Sequence, residues 1–424
     1  MDDRFDIIRR YNLWDGKAFP IGYRRESYLR QIDGFIGNRL VKVIVGQRRT
    51  GKSYLLRQVA QGLIDERNVD AHNILYLNKE YLEFDFINTY VDLEELYQAY
   101  KRTIKPQGRV YLFIDEIQNI DGWERFVNSH SQDFVDECEI FISGSNSKLL
   151  STELATLLSG RYVEFRIFPY SYQESLNVTQ ASPGRDSYIQ YLQTGGLPEL
   201  YNISNDESKR QYVASVKDTI LLRDIVSRMK LRDVQLLEDT FTFLVSKASN
   251  LISVRNVVKY FESRKRKVSY DVVAAYISYL EEAFLVHKSE RYNIRGKDVV
   301  MGNNKYYLND LSFKNYLYPG FAYGMGYLLE NAVYLDLSRM GYKIYTGVWK
   351  ESEVDFVAIR ADRTVYIQCS YQLEDEQTAL REYKPLYSIS DSFEKYVVSL
   401  DLVQRPSSEG IRHIRAYELE DNLH

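Results

Sequence analysis

Cysteine, proline and histidine are scarce in this sequence, which holds two, eight and five of them in 424 residues. The two cysteines, Cys138 and Cys369, form no CxxC pair, and the histidines are scattered. That excludes a disulfide framework and a zinc site of clustered ligands. Both cysteines lie in strand-like stretches and read as buried small hydrophobes of a reduced compartment. No apolar run is long enough to cross a bilayer, and the opening MDDRFDIIRRYN is charged throughout. The expectation is a cytoplasmic protein with no membrane partner. Positive charge is not in excess either: the formal net charge is -4, so binding to DNA would need a local patch. With 45% apolar and 27% charged residues the chain is a globular one, long enough for two or three domains.

What the sequence does contain is phosphate chemistry. The β-branched run 41–45 predicts a buried strand, and SYLLRQVAQGLI after it repeats its apolar residues at helical spacing. Between them stands Gly46-x-x-x-x-Gly51-Lys52-Ser53, a P-loop in the strand-loop-helix setting it requires. Its glycines let backbone N–H groups curl around phosphate, and the helix N-terminus adds a positive dipole. Lys52 is expected at the β- and γ-phosphates of ATP and the Ser53 hydroxyl at Mg2+. The nucleotide-binding set is Gly46, Gln47, Arg48, Arg49, Thr50, Gly51, Lys52, Ser53 and Tyr54.

Hydrolysis needs a second motif, and RVYLFIDEIQNI supplies it: an apolar strand that delivers Asp115 and Glu116 at its carboxyl end. Asp115 is the candidate magnesium ligand and Glu116 the group that polarises the attacking water. A third strand ends in SGSN, where Asn146, with Ser145 second, is either a γ-phosphate contact or part of an ordinary turn. Strand-like runs at 41–45, 73–77, 110–114, 139–143 and 162–168 alternate with helical segments, predicting an α/β fold: a parallel sheet with helices on both faces.

The stretches YRRESYLRQIDGFIGNRLVKVIVGQRRTGKSYLL, FIDEIQ, FISGSNSKLLSTELATLLSGRYVEFRIFPYSYQE and GGLPEL resemble the AAA-like P-loop ATPases of bacteria and archaea. The resemblance implies ATP binding and hydrolysis, followed by a C-terminal domain of uncharacterised function with a restriction-endonuclease-like core. It divides the chain into an N-terminal extension (1–20), an ATPase domain with its helical end (21–200), a helical, winged-helix-like domain (201–295) and an endonuclease-like domain (296–424). It also puts Arg161 in an LSGR position, where it is either an arginine finger, in cis or in trans from a homo-oligomer or protein partner, or a surface salt bridge.

The middle segment offers SVRNVVKYFES and SYDVVAAYISYLEEAFLVHKSERYN, two helices and a strand, with the basic RKRK (264–267) between the helices. Val272, Val273, Tyr276, Ile277, Leu280 and Phe284 follow core spacing, while Asp271, Glu281 and Glu282 face outward and would repel DNA. Packing or protein contact is therefore favoured over DNA reading. In the C-terminal segment, Glu330 on a helix and Asp355 and Gln368 on a hairpin stand where endonuclease-like folds place metal ligands. Ser370 occupies the position of the usual lysine, with Arg381 and Lys384 as substitutes. The expectation is an ATP-hydrolysing switch or motor whose endonuclease-like domain is a repurposed scaffold. The alternatives are a nucleotide-gated protein- or DNA-binding module and an ATP-controlled nuclease.

Overall fold

The computed structural model describes residues 3–145, 158, 160–321, 324–361, 363–373 and 375–423. It divides into two compact units, Met1–Ile167 and Phe168–His424.

In the first unit the helices are α1 (Asp3–Arg10), α2 (Glu26–Asp33), α3 (Lys52–Asp65), α4 (Tyr90–Ile104) and α5 (Trp123–Gln132). The strands are β1 (Val41–Val45), β2 (Ile74–Asn78), β3 (Val110–Asp115), β4 (Cys138–Gly144) and β5 (Tyr162–Arg166). They form one sheet in the order β2-β3-β4-β1-β5, every pair parallel. The expected strands appear within two residues of their predicted ends, because strands covered on both faces are nearly continuous apolar runs. Where the chain leaves a strand for a helix, local chemistry fixes the boundary. Thr89 and Asp92 form a capping box at the start of α4, and Gly51 enters α3 at φ 95°.

A buried ion pair crosses this sheet. Lys42 of β1 and Glu139 of β4 are both almost wholly buried, with the ammonium on the carboxylate at 2.5 Å. Burial lowers the Lys42 pKa, and Glu139 opposes that shift. The carboxylate also accepts from the Gly37 N–H at 3.1 Å and from Arg109 at 3.4 Å.

In the second unit the helices are α6 (Tyr172–Thr179), α7 (Arg185–Thr194), α8 (Asp206–Thr219), α9 (Val234–Ser246), α10 (Val254–Ser263), α11 (Tyr270–Glu282), α12 (Met325–Arg339), α13 (Glu376–Tyr387) and α14 (Leu419–Leu423). Its strands are β6 (Val286–Asn293), β7 (Asp298–Leu308), β8 (Lys343–Trp349), β9 (Ser352–Arg360), β10 (Arg363–Ser370), β11 (Glu394–Ser399) and β12 (Ile411–Arg415). They form a mixed sheet in the order β12-β11-β10-β9-β8-β6-β7. Alternation sorts its core: Phe356, Ile367 and Val398 pack with Leu329 and Val333 of α12, whereas Val357, Tyr366 and Val397 pack with Leu386 of α13.

Two boundaries differ from the sequence expectation. Phe168, Tyr172, Leu176, Tyr188 and Leu192, assigned above to the ATPase domain, share the α12 core of the second unit. The hairpin β6–β7, divided at 295/296 above, runs unbroken into the sheet that carries β8–β12. Val272 is half-exposed rather than core, while Glu281 is half-buried and its carboxyl is pushed up to about 7 by burial. Within RKRK, Arg266 pairs with Asp233 and Asp239 at 2.7 and 2.6 Å, and the Arg264 guanidinium lies 4.3 Å from the Tyr260 ring centre. Among the described residues no helix is long and apolar enough to cross a membrane.

The Lys42–Glu139 pair is testable by urea denaturation. Glu139→Ala, which strands a buried ammonium, is expected to cost about 3–5 kcal/mol, and Lys42→Met/Glu139→Leu to recover most of it. A loss below about 1 kcal/mol for the single variant would show that the pair is not buried as described.

Candidate nucleotide site

The loop 46–51 leaves the carboxyl end of β1, the strand that lies between β4 and β5. Gly46 has φ 154°, and a Cβ there would stand 2.2 Å from the Ile167 carbonyl oxygen, so only glycine allows the loop to lie against the end of β5. Arg49 takes φ 68° and Gly51 φ 95°, and together they turn the chain into α3. Lys52 folds back over the loop, its Nζ donating to the carbonyls of Gly46 and Gln47 at 3.0 Å each. Thr50 Oγ1 donates to Gln47 O at 2.9 Å, and Arg25 donates to Thr50 O at 3.0 Å. Ser53 follows Lys52 in the first turn of α3, as does Tyr54, whose half-exposed ring lies beneath the Arg57 guanidinium at 4.6 Å. The donor set suits a polyphosphate: a curled backbone, a helix N-terminus and an ammonium that donates to carbonyls a phosphate can replace.

Asp115 closes the other side. It is fully buried at the end of β3; Tyr76 OH donates to Oδ2 at 3.1 Å, Asn78 Nδ2 donates to Oδ2 at 3.0 Å, and Ser143 Oγ donates to Oδ1. Ser143 Oγ in turn accepts from the Glu116 N–H at 3.1 Å. Glu116 is buried at φ 57°, accepts from Gln118 Nε2, and has its pKa raised chiefly by burial, with Lys52 opposing the rise. Sequence reasoning missed Ser143, Asn78 and Tyr76. Their only signal was position, a polar residue ending an apolar strand in the first two cases.

The remaining sequence candidates separate. Ser145 is buried just beyond β4, and Asn146 lies outside the described residues. Arg161 donates to Leu158 O and Asn128 Oδ1, each at 3.1 Å. Its carbonyl accepts from the Val41 N–H, at the amino end of β1. A whole strand, about 15 Å, therefore separates Arg161 from the loop of its own chain.

Residues 38–176 match the AAA domain family, and residues 185–322 match a domain of unknown function, DUF8612. An uncharacterized protein of Haemophilus influenzae is 33% identical over 394 residues, covering 92% of this chain and 96% of the relative. The chain belongs to that protein's family, with an AAA-type P-loop domain in its first half. An uncharacterized protein of Methanocaldococcus jannaschii is 29% identical over 377 residues, covering 85% of this chain and 80% of the relative. The solved structure of the Aeropyrum pernix Orc1 protein in complex with DNA aligns with a TM-score of 0.31 and 15% identity, covering 74% of this chain and 97% of that one. That likeness is too slight to bear on partners.

In the second unit of this family member, Glu330 and Asp355 do come together, around a residue that sequence reasoning overlooked. Lys305 of β7, 3% exposed, donates to Glu330 at 2.9 Å and Asp355 at 3.3 Å and pairs with Glu353 at 2.7 Å. Between β7 and β9 stand Ser289, paired with Lys305 on β6, and Thr346 of β8, both fully buried and bonded to each other at 3.2 Å. These small side chains leave room for the lysine to reach across. The Lys305 ammonium thus lies among the carboxylates of Glu330, Glu353 and Asp355. Gln368 points elsewhere, donating to Glu382 at 3.0 Å while accepting from the Asp355 N–H at 3.3 Å. Arg381 pairs with Glu382 at 2.8 Å and is exposed. Among the described residues no group of three or more His, Cys, Asp or Glu side chains is placed to hold a metal ion.

Burial pushes the Glu330 carboxyl up to about 7, with Lys305 acting against the rise. A carboxyl raised by folding favours the folded state below its ordinary value and loses that contribution as pH rises through 7. Lys305 opposes this by stabilising the ionised form. Lys305→Met is therefore expected to destabilise the protein by about 3–5 kcal/mol at pH 8 and by less at pH 5. Denaturant midpoints at the two pH values check it. An equal loss at both would separate Lys305 from the carboxylates.

Proposed function

We propose that the protein is a magnesium-dependent ATPase that acts as a molecular switch or motor, its first unit turning over ATP and its second responding. The observation that carries this reading is the convergence of Lys52, Asp115 and Glu116 at the carboxyl ends of one parallel sheet, where ligands of such sheets bind. On ATP entry Lys52 exchanges the Gly46 and Gln47 carbonyls for oxygens of the β- and γ-phosphates. A magnesium ion held by Ser53 and, directly or through water, by Asp115 would neutralise charge on the phosphates. Ser143, Asn78 and Tyr76 keep the Asp115 carboxylate in one orientation. Glu116, ionised, accepts the proton of the attacking water; burial raises its pKa and Lys52 opposes that rise. The remoteness of Arg161 from its own loop supports a finger role in trans only, from a second copy or another protein.

We read the second unit as an endonuclease-like scaffold in which Lys305 neutralises the acids, in preference to an ATP-controlled nuclease. The helix α12 and the hairpin β9–β10 support that reading, with Glu330 and Asp355 brought together on them.

Purified protein with MgATP is expected to release phosphate, and Lys52→Ala to abolish release. Glu116→Gln should retain nucleotide binding while turnover falls about 10²–10⁴-fold. Because the base works only when ionised and its pKa is raised, turnover should fall on acidification at a pH above that of an ordinary glutamate. Equal inertness of wild type and Lys52→Ala, with and without DNA or a protein partner, would end the ATPase reading.

A further inference from the structure

The Arg-Arg pair within the loop has one member with a structural partner on the far side of the site. Arg48 Nη1 lies 2.7 Å from Glu80 Oε1, with the arginine nine-tenths buried. Arg48 follows β1 and Glu80 follows β2, which stand three places apart in the sheet with β4 and β3 between them. Strand spacing makes that span about 14 Å. The Arg48–Glu80 pair therefore bridges the carboxyl ends of β4 and β3, the second of which carries Asp115, in the region a terminal phosphate would enter. Glu80 is tied to the same carboxylate. Its N–H donates to Asn78 Oδ1 at 2.9 Å, and Asn78 Nδ2 donates to Asp115 at 3.0 Å.

We propose that Glu80 holds Arg48 across the mouth of the nucleotide site and releases it to the terminal phosphate of an incoming nucleoside triphosphate. The inference rests on the ATP-binding reading above and adds a sensor to it. A guanidinium exchanges one oxyanion partner for another at little geometric cost, because carboxylate and phosphate both fit its donor fork. A diphosphate ends short of the guanidinium and leaves the Arg48–Glu80 pair closed. A triphosphate opens it, and the freed Glu80 loosens its segment beside Asn78, so that the acidic strand end registers which nucleotide is bound. Glu80 is thus a positioning residue, acting through Arg48.

The test is titration calorimetry of ADP and of a non-hydrolysable ATP analogue, with magnesium, on wild type, Arg48→Ala, Glu80→Gln and the double variant, each checked by thermal melting. Arg48→Lys serves if Arg48→Ala is unfolded. Arg48→Ala is expected to weaken the triphosphate about tenfold and to leave ADP nearly unchanged. Glu80→Gln should tighten the triphosphate severalfold, and the double variant should behave as Arg48→Ala alone. Equal weakening of both nucleotides by Arg48→Ala overturns the latch. So does tightening by Glu80→Gln that persists in the Arg48→Ala background, since Glu80 would then act on the phosphates directly. Wild type that binds neither nucleotide overturns the ATP reading and the latch together, whereas binding with an unchanged triphosphate preference overturns the latch alone.

Discussion

A single buried carboxylate constrains the first unit. Asp115 has no exposure, and a charge without solvent is tolerated only where hydrogen-bond donors surround it. Its donors come from the strands on either side, Tyr76 and Asn78 from β2 and Ser143 from β4. They meet Asp115 only in the observed register, with Asn78 opposite Asp115 and Ile114 opposite Ile142. A slip of one residue would turn each donor to the other face of the sheet and leave the carboxylate unsatisfied. The register that satisfies Asp115 is also the one that aligns the carboxyl ends of β1, β3 and β4. The phosphate loop and the acidic pair consequently share one crevice.

The loop itself is held in readiness by its own backbone. Lys52 donates to Gly46 and Gln47, Thr50 to Gln47 and Arg25 to Thr50, so the curl is braced by its own chain. Order of this kind lowers the conformational entropy lost when a phosphate arrives. Glu116 gains from the same economy of space: its N–H shares Ser143 with Asp115, so one hydroxyl orients both acids.

How far this was legible in the sequence depended on whether the signal was local. The strands of the first sheet could be read because burial on both faces writes itself as an uninterrupted apolar run, and the loop because glycine spacing reports backbone conformation directly. Ser143 and Asn78 could not, since a small polar residue at a strand end looks the same whether it caps a turn or holds a buried carboxylate. Arg161 was placed by resemblance alone, and only the pairing of β5 with β1 puts it at the far end of the sheet. Val272 satisfied helical spacing yet lies at the edge of the apolar stripe, where spacing does not distinguish buried from half-exposed.

Lys305 shows the limit of local reading most clearly. The lysine stands on β7, Glu330 on α12 and Glu353 and Asp355 on β9, so the cluster joins residues that no short window contains. β7 reaches the rest of the sheet only through β6, which pairs in parallel with β8. The charge balance of the acids therefore depends on the hairpin that follows α11. Were β6 and β7 the wing of an independent domain, Glu330 and Asp355 would be buried without a cation. The hairpin β6–β7 therefore belongs with β8–β12, and a cut between β7 and α12 would strand carboxylates in an apolar core.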